Sequence, residues 1–546
     1  LLAPLLYFPV LLFIAIFPLT LVLAALLRSE LLRQHFSPVV SLITAALVLL
    51  AFGIAGHFLF AIMYLGSPTF TDHIEPNTAI ISWIYAQGGQ IYHSLDAPER
   101  YAFLYGPVPY IATSWMYALL GGSTFAAKIA GFICLLTTSV FILLAVWQRF
   151  SGRIIPCLVA LGYFSLIALF FKNHSFWSKP DPFLMACTAI GLYSCLLRPG
   201  RMAWVLCGIA LGIAVNAKIT GVLYFLPYLA WFFDRDGYRA LLVTSLAAAV
   251  TALLPYWAMD QVSIINYTAW LQAAGGHGIS RLLLLQNLVF LIFILIPPGC
   301  FLFWQYGSVG IRSWFDTYRL IFVASILAAL LLLLAASKSG SGPHHFLPFL
   351  PALAFLVAVA TSRVYSYRPT TNWSVYGFWA PVTAFLLAAI IKAGLALYFG
   401  LKVVMAQANG DLIAQNLAEI VADNPGRNIY MGYGDGSRYT VTFLRTELAY
   451  AGHPYLIDAS ALMDFQHSGM EIPQVTIDHM LADKSSIWLI PAGQEPFEIT
   501  NWYYRFQGRF LFEDNFRSAF NESFQRQSST DFFDLYIQRN QNTSEP

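Results

Sequence analysis

A polytopic α-helical membrane protein of about twelve spans is the fold class this sequence predicts, with interfacial helices in its first outer loop and a small extracytoplasmic α/β domain after residue 401. Three observations predict it. Of 546 residues, 58% are hydrophobic and only 11% are charged, where a soluble domain carries about 25% charge. Many apolar runs reach the ~18 residues that mark a membrane helix. Charge is also divided unevenly: residues 402–546 hold 18 of the 28 acids and 10 of the 30 bases. The chain therefore reads as a membrane part, 1–401, and an acidic part of ordinary domain size, 402–546. A net charge of +2 points to no nucleic acid.

Spans are expected near 2–27, 38–65, 121–148, 154–171, 181–197, 202–217, 219–233, 240–258, 285–305, 319–336, 345–361 and 375–400. The pair 202–217 and 219–233 is short, and a re-entrant hairpin is its alternative reading. Orientation comes from arginine. The pairs Arg28/Arg33, Arg149/Arg153, Arg198/Arg201, Arg235/Arg239, Arg312/Arg319 and Arg363/Arg368 occupy alternate loops. Positively charged short loops stay cytoplasmic. The loops 66–120, 172–180, 259–284 and 337–344, and all of 402–546, then fall on the outer side. The first run opens at Leu1 without a Met, so an upstream piece outside this numbering is one expectation. Residues 1–27 are long enough to span, which leaves a cleaved signal peptide without support.

The first outer loop opens Ser67-Pro68-Thr69-Phe70-Thr71-Asp72-His73-Ile74-Glu75. It gathers Asp72, Glu75, Asp96 and Glu99, four of the ten acids in the first 401 residues. Its apolar pieces 77–87 and 107–120 are too short to cross, and read as surface helices with Trp83, Tyr85, Tyr110, Trp115 and Tyr117 at interfacial depth. A buried hairpin of a larger fold is the alternative.

After Lys402 the elements shorten. Segments 428–434, 486–492, 510–516 and 531–539 read as strands, and 437–451 and 474–483 as helices, hence a small α/β domain. Gly432-Tyr433-Gly434-Asp435-Gly436 follows a strand and precedes a helix. It suits a tight turn, or a phosphate-binding turn lacking the dinucleotide spacing. All six cysteines lie before residue 301, so 402–546 has neither a disulfide framework nor a cysteine zinc site.

Few polar groups remain to carry chemistry on the outer side. Asp72 and Glu75, three apart, share one face if helical. Asp181, in Lys179-Pro180-Asp181-Pro182, opens a span, where an acid also serves as a plain cap. Lys218 sits at an inter-helix break. A lysine so deep needs a partner, a ligand or a snorkelling path. Lys128 and Lys392, in apolar spans, are expected to snorkel. His344 and His345 open another span, and a surface pair is the plain alternative. Carboxylates, cations and imidazoles at the outer span ends fit a reaction of a lipid-borne phosphate with a water-side acceptor. A carboxylate would deprotonate the acceptor, and cations would stabilise the departing phosphate. Asp72, Glu75 and Asp181 offer oxygens to a divalent ion, and His73, His344 and His345 suit zinc. No metal is required by the sequence.

Three segments carry a family resemblance: Asp72-His73-Ile74-Glu75-Pro76 with Gly88, Tyr92 and Tyr105-Gly106-Pro107; Lys179-Pro180-Asp181; and Gly212-Ile213-Ala214-Val215-Asn216-Ala217-Lys218-Ile219-Thr220-Gly221. The chain resembles the GT-C fold membrane glycosyltransferases, the class of the protein O-mannosyltransferases and the lipid A aminoarabinose transferase. The resemblance implies inverting transfer of a sugar from a polyprenyl-phosphate donor to a lipid, glycan or protein acceptor. It implies an extracytoplasmic reaction, here at a bacterial inner membrane, with a first-loop acid activating the acceptor. Glu75 aligns best with that acid, and Asp72 and Asp181 complete the catalytic candidates. Arg100, Tyr105, Lys179, Lys218, His344 and His345 are the substrate-binding candidates. Many members have adjacent acids where this chain has Asp72-x-x-Glu75. Many have Lys-Pro-Pro where it has Tyr105-Gly106-Pro107, so Arg100 is the expected substitute for that lysine. A non-catalytic GT-C-fold subunit binding a partner through 402–546 is the alternative. A transporter or flippase is a further one, against which stands the lack of internal repeats and mid-span acids.

Overall fold

A computed structural model describes residues 38–101, 104–276, 278–366, 372–406, 409–502 and 508–539. The expected span 2–27, the pair Arg28/Arg33, Arg368 and His277 lie outside the described residues. The chain divides into two compact units. The first holds residues 1–64, 131–253 and 279–402; the second holds 65–130, 254–278 and 403–546. The first loop and the segment 254–278 thus belong with the C-terminal segment.

A helix lies on every expected span from 38–65 onward, as the apolar runs dictate. Among the described residues, seven helices are long and apolar enough to cross a membrane, and the chain is an integral membrane protein. In a membrane, helices associate through close packing of small residues. Gly208 and Gly212, four apart on helix Arg201–Ala217, do this in the first unit. A Cβ at Gly208 would stand 2.4 Å from the Thr244 carbonyl oxygen, and one at Gly212 2.6 Å from that of Ala248, both on helix Tyr238–Ala258. Asn216 then donates to the carbonyls of Thr251 and Ala252 on that helix, at 3.2 and 2.9 Å. The helix stops at Ala217 and resumes at Gly221. The break is tight, because a Cβ on Gly221 would stand 2.3 Å from the Ala214 oxygen.

The second unit is built on a four-stranded sheet in the order β1-β2-β4-β3, with β1 Ile429–Met431, β2 Ile487–Pro491, β3 Phe524–Ser529 and β4 Phe533–Gln538. β1 runs parallel to β2, and the other pairs are antiparallel. Strand alternation sends side chains to both faces. Ile429, Met431, Ile487 and Leu489 pack with Ile413, Leu417 and Ile420 of helix Gly410–Asp423. Tyr430, Trp488 and Ile490 pack in the other core with Phe497, Phe512, Phe516 and Phe520. The strand expected over 510–516 is not formed: Phe510 makes one isolated bridge to Thr500, and helix Asp514–Ser523 begins four residues later. Phe512, Phe516 and Phe520, spaced by four, are all buried.

The glycine segment 432–436 is a close backbone approach. A Cβ on Gly434 would fall 1.9 Å from Gln494 Oε1, and Gly436 has φ +97°. The first-loop helices Glu75–Ala86 and Val108–Leu120 pack on each other. Tyr110 and Tyr117, expected at interfacial depth, are instead interior at 0% and 3% exposure. The Tyr117 hydroxyl donates to the Ala79 carbonyl at 3.1 Å and meets the Tyr450 hydroxyl at 2.9 Å. Trp115 and Leu119 of the same helix are exposed.

Candidate functional site

Two polar clusters, one per unit, take up most of the residues singled out from the sequence. The first surrounds the N-terminus of helix Pro180–Leu196. Prolines at its start and an extended Lys179 set the entry. The preceding segment lies directly on helix Thr124–Phe150, where a Cβ on Gly131 would come within 2.1 Å of the Trp177 carbonyl oxygen. Trp177, 1% exposed, is the hub. Its indole N–H donates to Asp181 Oδ2 at 3.1 Å. Lys179 Nζ lies 3.7 Å from its ring centroid, a cation–π contact. His174 stacks on it at 3.6 Å between centroids.

The cluster continues through imidazoles. His174 is 5.0 Å from His344, and His344 is 4.6 Å from His345. Lys218 Nζ lies 3.4 Å from His345 Nε2. An ammonium only donates, so Nε2 accepts and the proton of the neutral ring sits on Nδ1. His345 Nδ1 is buried and has no hydrogen-bond partner among the described residues. The Tyr224 hydroxyl donates to the His345 carbonyl at 2.7 Å and fixes the backbone. Lys179, Asp181 and His345 are 6%, 4% and 5% exposed, and Lys218 is half-buried at its helix break. Five of the candidates, Lys179, Asp181, Lys218, His344 and His345, are thus brought together in one unit. Trp177 and His174 join them without having been assigned from the sequence.

The second cluster surrounds the first loop. Glu75 is the first residue of helix Glu75–Ala86 and is fully buried. Asp72 Oδ1 accepts from the Ile74 N–H at 3.0 Å, an Asx-type turn. Its other oxygen lies 3.8 Å from His73 Nδ1. Lys128 does not snorkel: it is 0% exposed and donates to the carbonyls of Ser67 and Thr69 at 2.8 and 2.7 Å. The charge that bears on it is that of Glu75.

Arg445, 1% exposed, pairs with Asp458 at 2.7 Å and donates to the His73 carbonyl at 2.8 Å. The surrounding carboxylate and tyrosines hold its guanidinium above its ordinary range, against the cost of burial.

Arg100, an expected substrate contact, is turned onto its own loop. It is 3% exposed, and its guanidinium donates to the carbonyls of Leu95, Ala97 and Glu99. It closes its own loop. Burial draws it down to about 10. Tyr105 is half-buried, with its carbonyl accepting from the Tyr92 hydroxyl at 2.7 Å. Among the described residues, no group of three or more His, Cys, Asp or Glu side chains is placed to hold a metal ion.

No protein-family model matches the chain, and no curated protein matches it. Solved structures do. ArnT from Cupriavidus metallidurans in the apo state is similar at a TM-score of 0.54 and 15% identity, over 91% of this chain and 97% of that one. The same protein bound to undecaprenyl phosphate gives 0.51, with the same identity and coverage. A more remote likeness, TM-score 0.43 and 12% identity over 81% of this chain and 68% of that one, is to an Archaeoglobus fulgidus oligosaccharyltransferase in complex with zinc and sulfate. At such identities the likeness to ArnT speaks to fold, and the chain has the GT-C fold implied by its three sequence segments.

Proposed function

We propose that this chain is a membrane glycosyltransferase that moves a sugar from a polyprenyl-phosphate donor to an acceptor hydroxyl with inversion. The observation that carries the reading is the His345 ring. Its Nδ1–H is a buried donor without a partner among the described residues, and Lys218, His344, Lys179 and His174 all act on it electrostatically. A buried unpaired donor is costly, and the two lysine ammoniums stabilise an anion. A phosphate oxygen satisfies both. The likeness in fold to ArnT, one of whose structures holds undecaprenyl phosphate, supports a lipid-linked phosphate.

In this reading the acceptor oxygen attacks C1 of the sugar opposite the phosphate. The C1–O bond to phosphate breaks, and its electron pair leaves with the lipid phosphate. Lys179, Lys218 and His345 stabilise that charge. The hydroxyl proton goes to a general base, the role that the family resemblance gives to a first-loop carboxylate, Glu75 or Asp72. Asp181, bound to the Trp177 indole, orients the ring on which Lys179 rests.

The test is turnover of an undecaprenyl-phosphate-linked sugar by the purified chain, with undecaprenyl-phosphate binding measured beside it. Lys218→Met and Lys179→Met are each expected to lower kcat about 100-fold, the scale of one charge-stabilising group. Glu75→Gln or Asp72→Asn should abolish turnover while leaving lipid-phosphate binding intact. Wild-type turnover in all four variants overturns the assignment. Binding of the lipid phosphate by a wild-type chain that never turns over moves the reading to a non-catalytic subunit.

A further inference from the structure

The segment that carries Asp72 and leads into Glu75 has no regular structure of its own: between Ser67 and Ile74 it is bends and irregular chain. Such a segment holds one geometry only if something else holds its backbone. Three of its carbonyls accept from buried cations. Lys128 Nζ takes those of Ser67 and Thr69, and Arg445 takes that of His73. Phe70, 0% exposed, lies between these anchor points, its ring 5.4 Å from Lys128 Nζ. The two cations come from far apart in the chain. Lys128 belongs to the first turns of helix Thr124–Phe150, and Arg445 opens helix Arg445–Tyr450 of the C-terminal segment.

Arg445 is itself fixed. Its guanidinium pairs with Asp458 and donates to the Thr442 carbonyl at 3.0 Å. Asp458 caps helix Ala459–His467 through the N–H groups of Ser460 and Ala461. The Tyr455 hydroxyl meets both Asp458 and Asn77 Oδ1, and Asn77 lies in the first turn of the helix that Glu75 begins. The backbone joins in: Arg100 N–H donates to the Leu456 carbonyl, and Asp458 N–H to the Arg100 carbonyl. Buried ion pairs are poor sources of stability, since well-packed apolar side chains do as well or better. What they supply is a fixed geometry, and here the geometry fixed is that of the acidic loop.

We propose that Lys128 and Arg445 are positioning residues that clamp the loop 67–74 and so set the Asp72 and Glu75 carboxylates. The C-terminal segment 403–546, through Arg445 and Asp458, is on this view part of the frame of the acidic site. The link to turnover rests on the glycosyltransferase reading, whereas the clamp does not.

The experiment uses the full chain in detergent or nanodiscs. Hydrogen exchange of peptides covering 66–76 is read by mass spectrometry, alongside kcat and KM. Lys128→Met loses the ammonium. The double variant Arg445→Met with Asp458→Asn neutralises both partners, so that no lone buried charge is left to prevent folding. Each is expected to speed exchange in 66–76 at least 10-fold, with the sheet strands 487–491 and 533–538 unchanged. Each should also lower kcat at least 10-fold with KM within twofold. Lys128→Arg and Arg445→Lys, which keep the charge, should recover part of both effects. Unchanged exchange in 66–76 overturns the proposal, as does exchange rising equally through the whole unit. Should the wild-type chain show no turnover, the glycosyltransferase reading fails and the exchange result alone decides the clamp.

Discussion

The two units set different groups against their cations. In the second unit, buried cations end on oxygen: Lys128 on two carbonyls, Arg445 on a carboxylate and two carbonyls, all within 3.0 Å. In the first unit, Lys179 rests on an indole face at 3.7 Å, and Lys218 stands 3.4 Å from an imidazole nitrogen. Oxygen partners at short range satisfy a cation fully and fix its neighbours. Ring faces and imidazoles hold it more weakly. The first arrangement suits a frame. The second is the arrangement that the proposed phosphate site uses.

Breaking each arrangement should therefore cost very different amounts. Asp458→Ala strands the Arg445 charge in the interior, which typically costs about 3–5 kcal/mol, and removes the cap of helix Ala459–His467, worth about 1 kcal/mol more. Lys218→Met, at a half-buried site, should change stability by no more than about 1 kcal/mol. Thermal unfolding of the whole chain in detergent compares them. Equal losses would erase the distinction between frame and anion site.

A smaller effect sharpens the first unit's side of the comparison. Alanine in a helix interior is normally about 1 kcal/mol better than glycine. At Gly131 the new Cβ meets backbone that cannot swing aside, the carbonyl oxygens of Trp177 at 2.1 Å and Phe176 at 2.6 Å. Gly131→Ala should therefore destabilise by about 1–3 kcal/mol, and should weaken undecaprenyl-phosphate binding by displacing Trp177 and Lys179. Gly394→Ala is the control, because nothing lies within 4 Å of its Cβ. Its expected result is unchanged or slightly raised stability with unchanged binding.

The first unit's cluster was legible because polar residues are scarce in an apolar chain. Lys179, Asp181, Lys218 and His345 stood out against long apolar runs, and the break at 218–220 could be read from Lys218 and Gly221. Its hub was not: Trp177 is one of 14 tryptophans, and nothing in its spacing marks it. The frame of the second unit was harder still. Lys128 was visible as an odd charge in an apolar span, but its partners are backbone carbonyls, which leave no side-chain pattern. Arg445 reaches a carbonyl 372 positions away, a separation that local periodicity cannot encode. The carbonyls that Arg100 meets in its own loop are equally silent in sequence. The missed helix at 514–523 had a signal, since Phe512, Phe516 and Phe520 recur at the helical spacing of four. The apolar content of 510–516 outweighed it.

The smallest expected effect tests whether the second unit tolerates a charge it did not pair. His93 is 7% exposed, its ring edge-on to Tyr101 and Trp270. Nδ1 lies 3.1 Å from the Ser94 carbonyl and so carries the proton, while Nε2 is buried without a partner among the described residues. Protonating Nε2 would bury an orphan donor and a charge together. Burial accordingly pulls the imidazole from 6.5 down to about 4, opposed by the Ser94 carbonyl and Glu99, with Arg100 adding to the fall. The unfolded chain takes up the proton first as pH drops. Stability is therefore full above pH ~6.5 and declines as pH falls towards ~4. At pH 5.5 this amounts to about 1 kcal/mol, one unit below the unfolded value. His93→Gln cannot take the proton, so it should flatten that part of the curve of unfolding temperature against pH. A decline of the same slope in His93→Gln would mean that some other group titrates, and that this part of the second unit is not sealed against charge as its geometry requires.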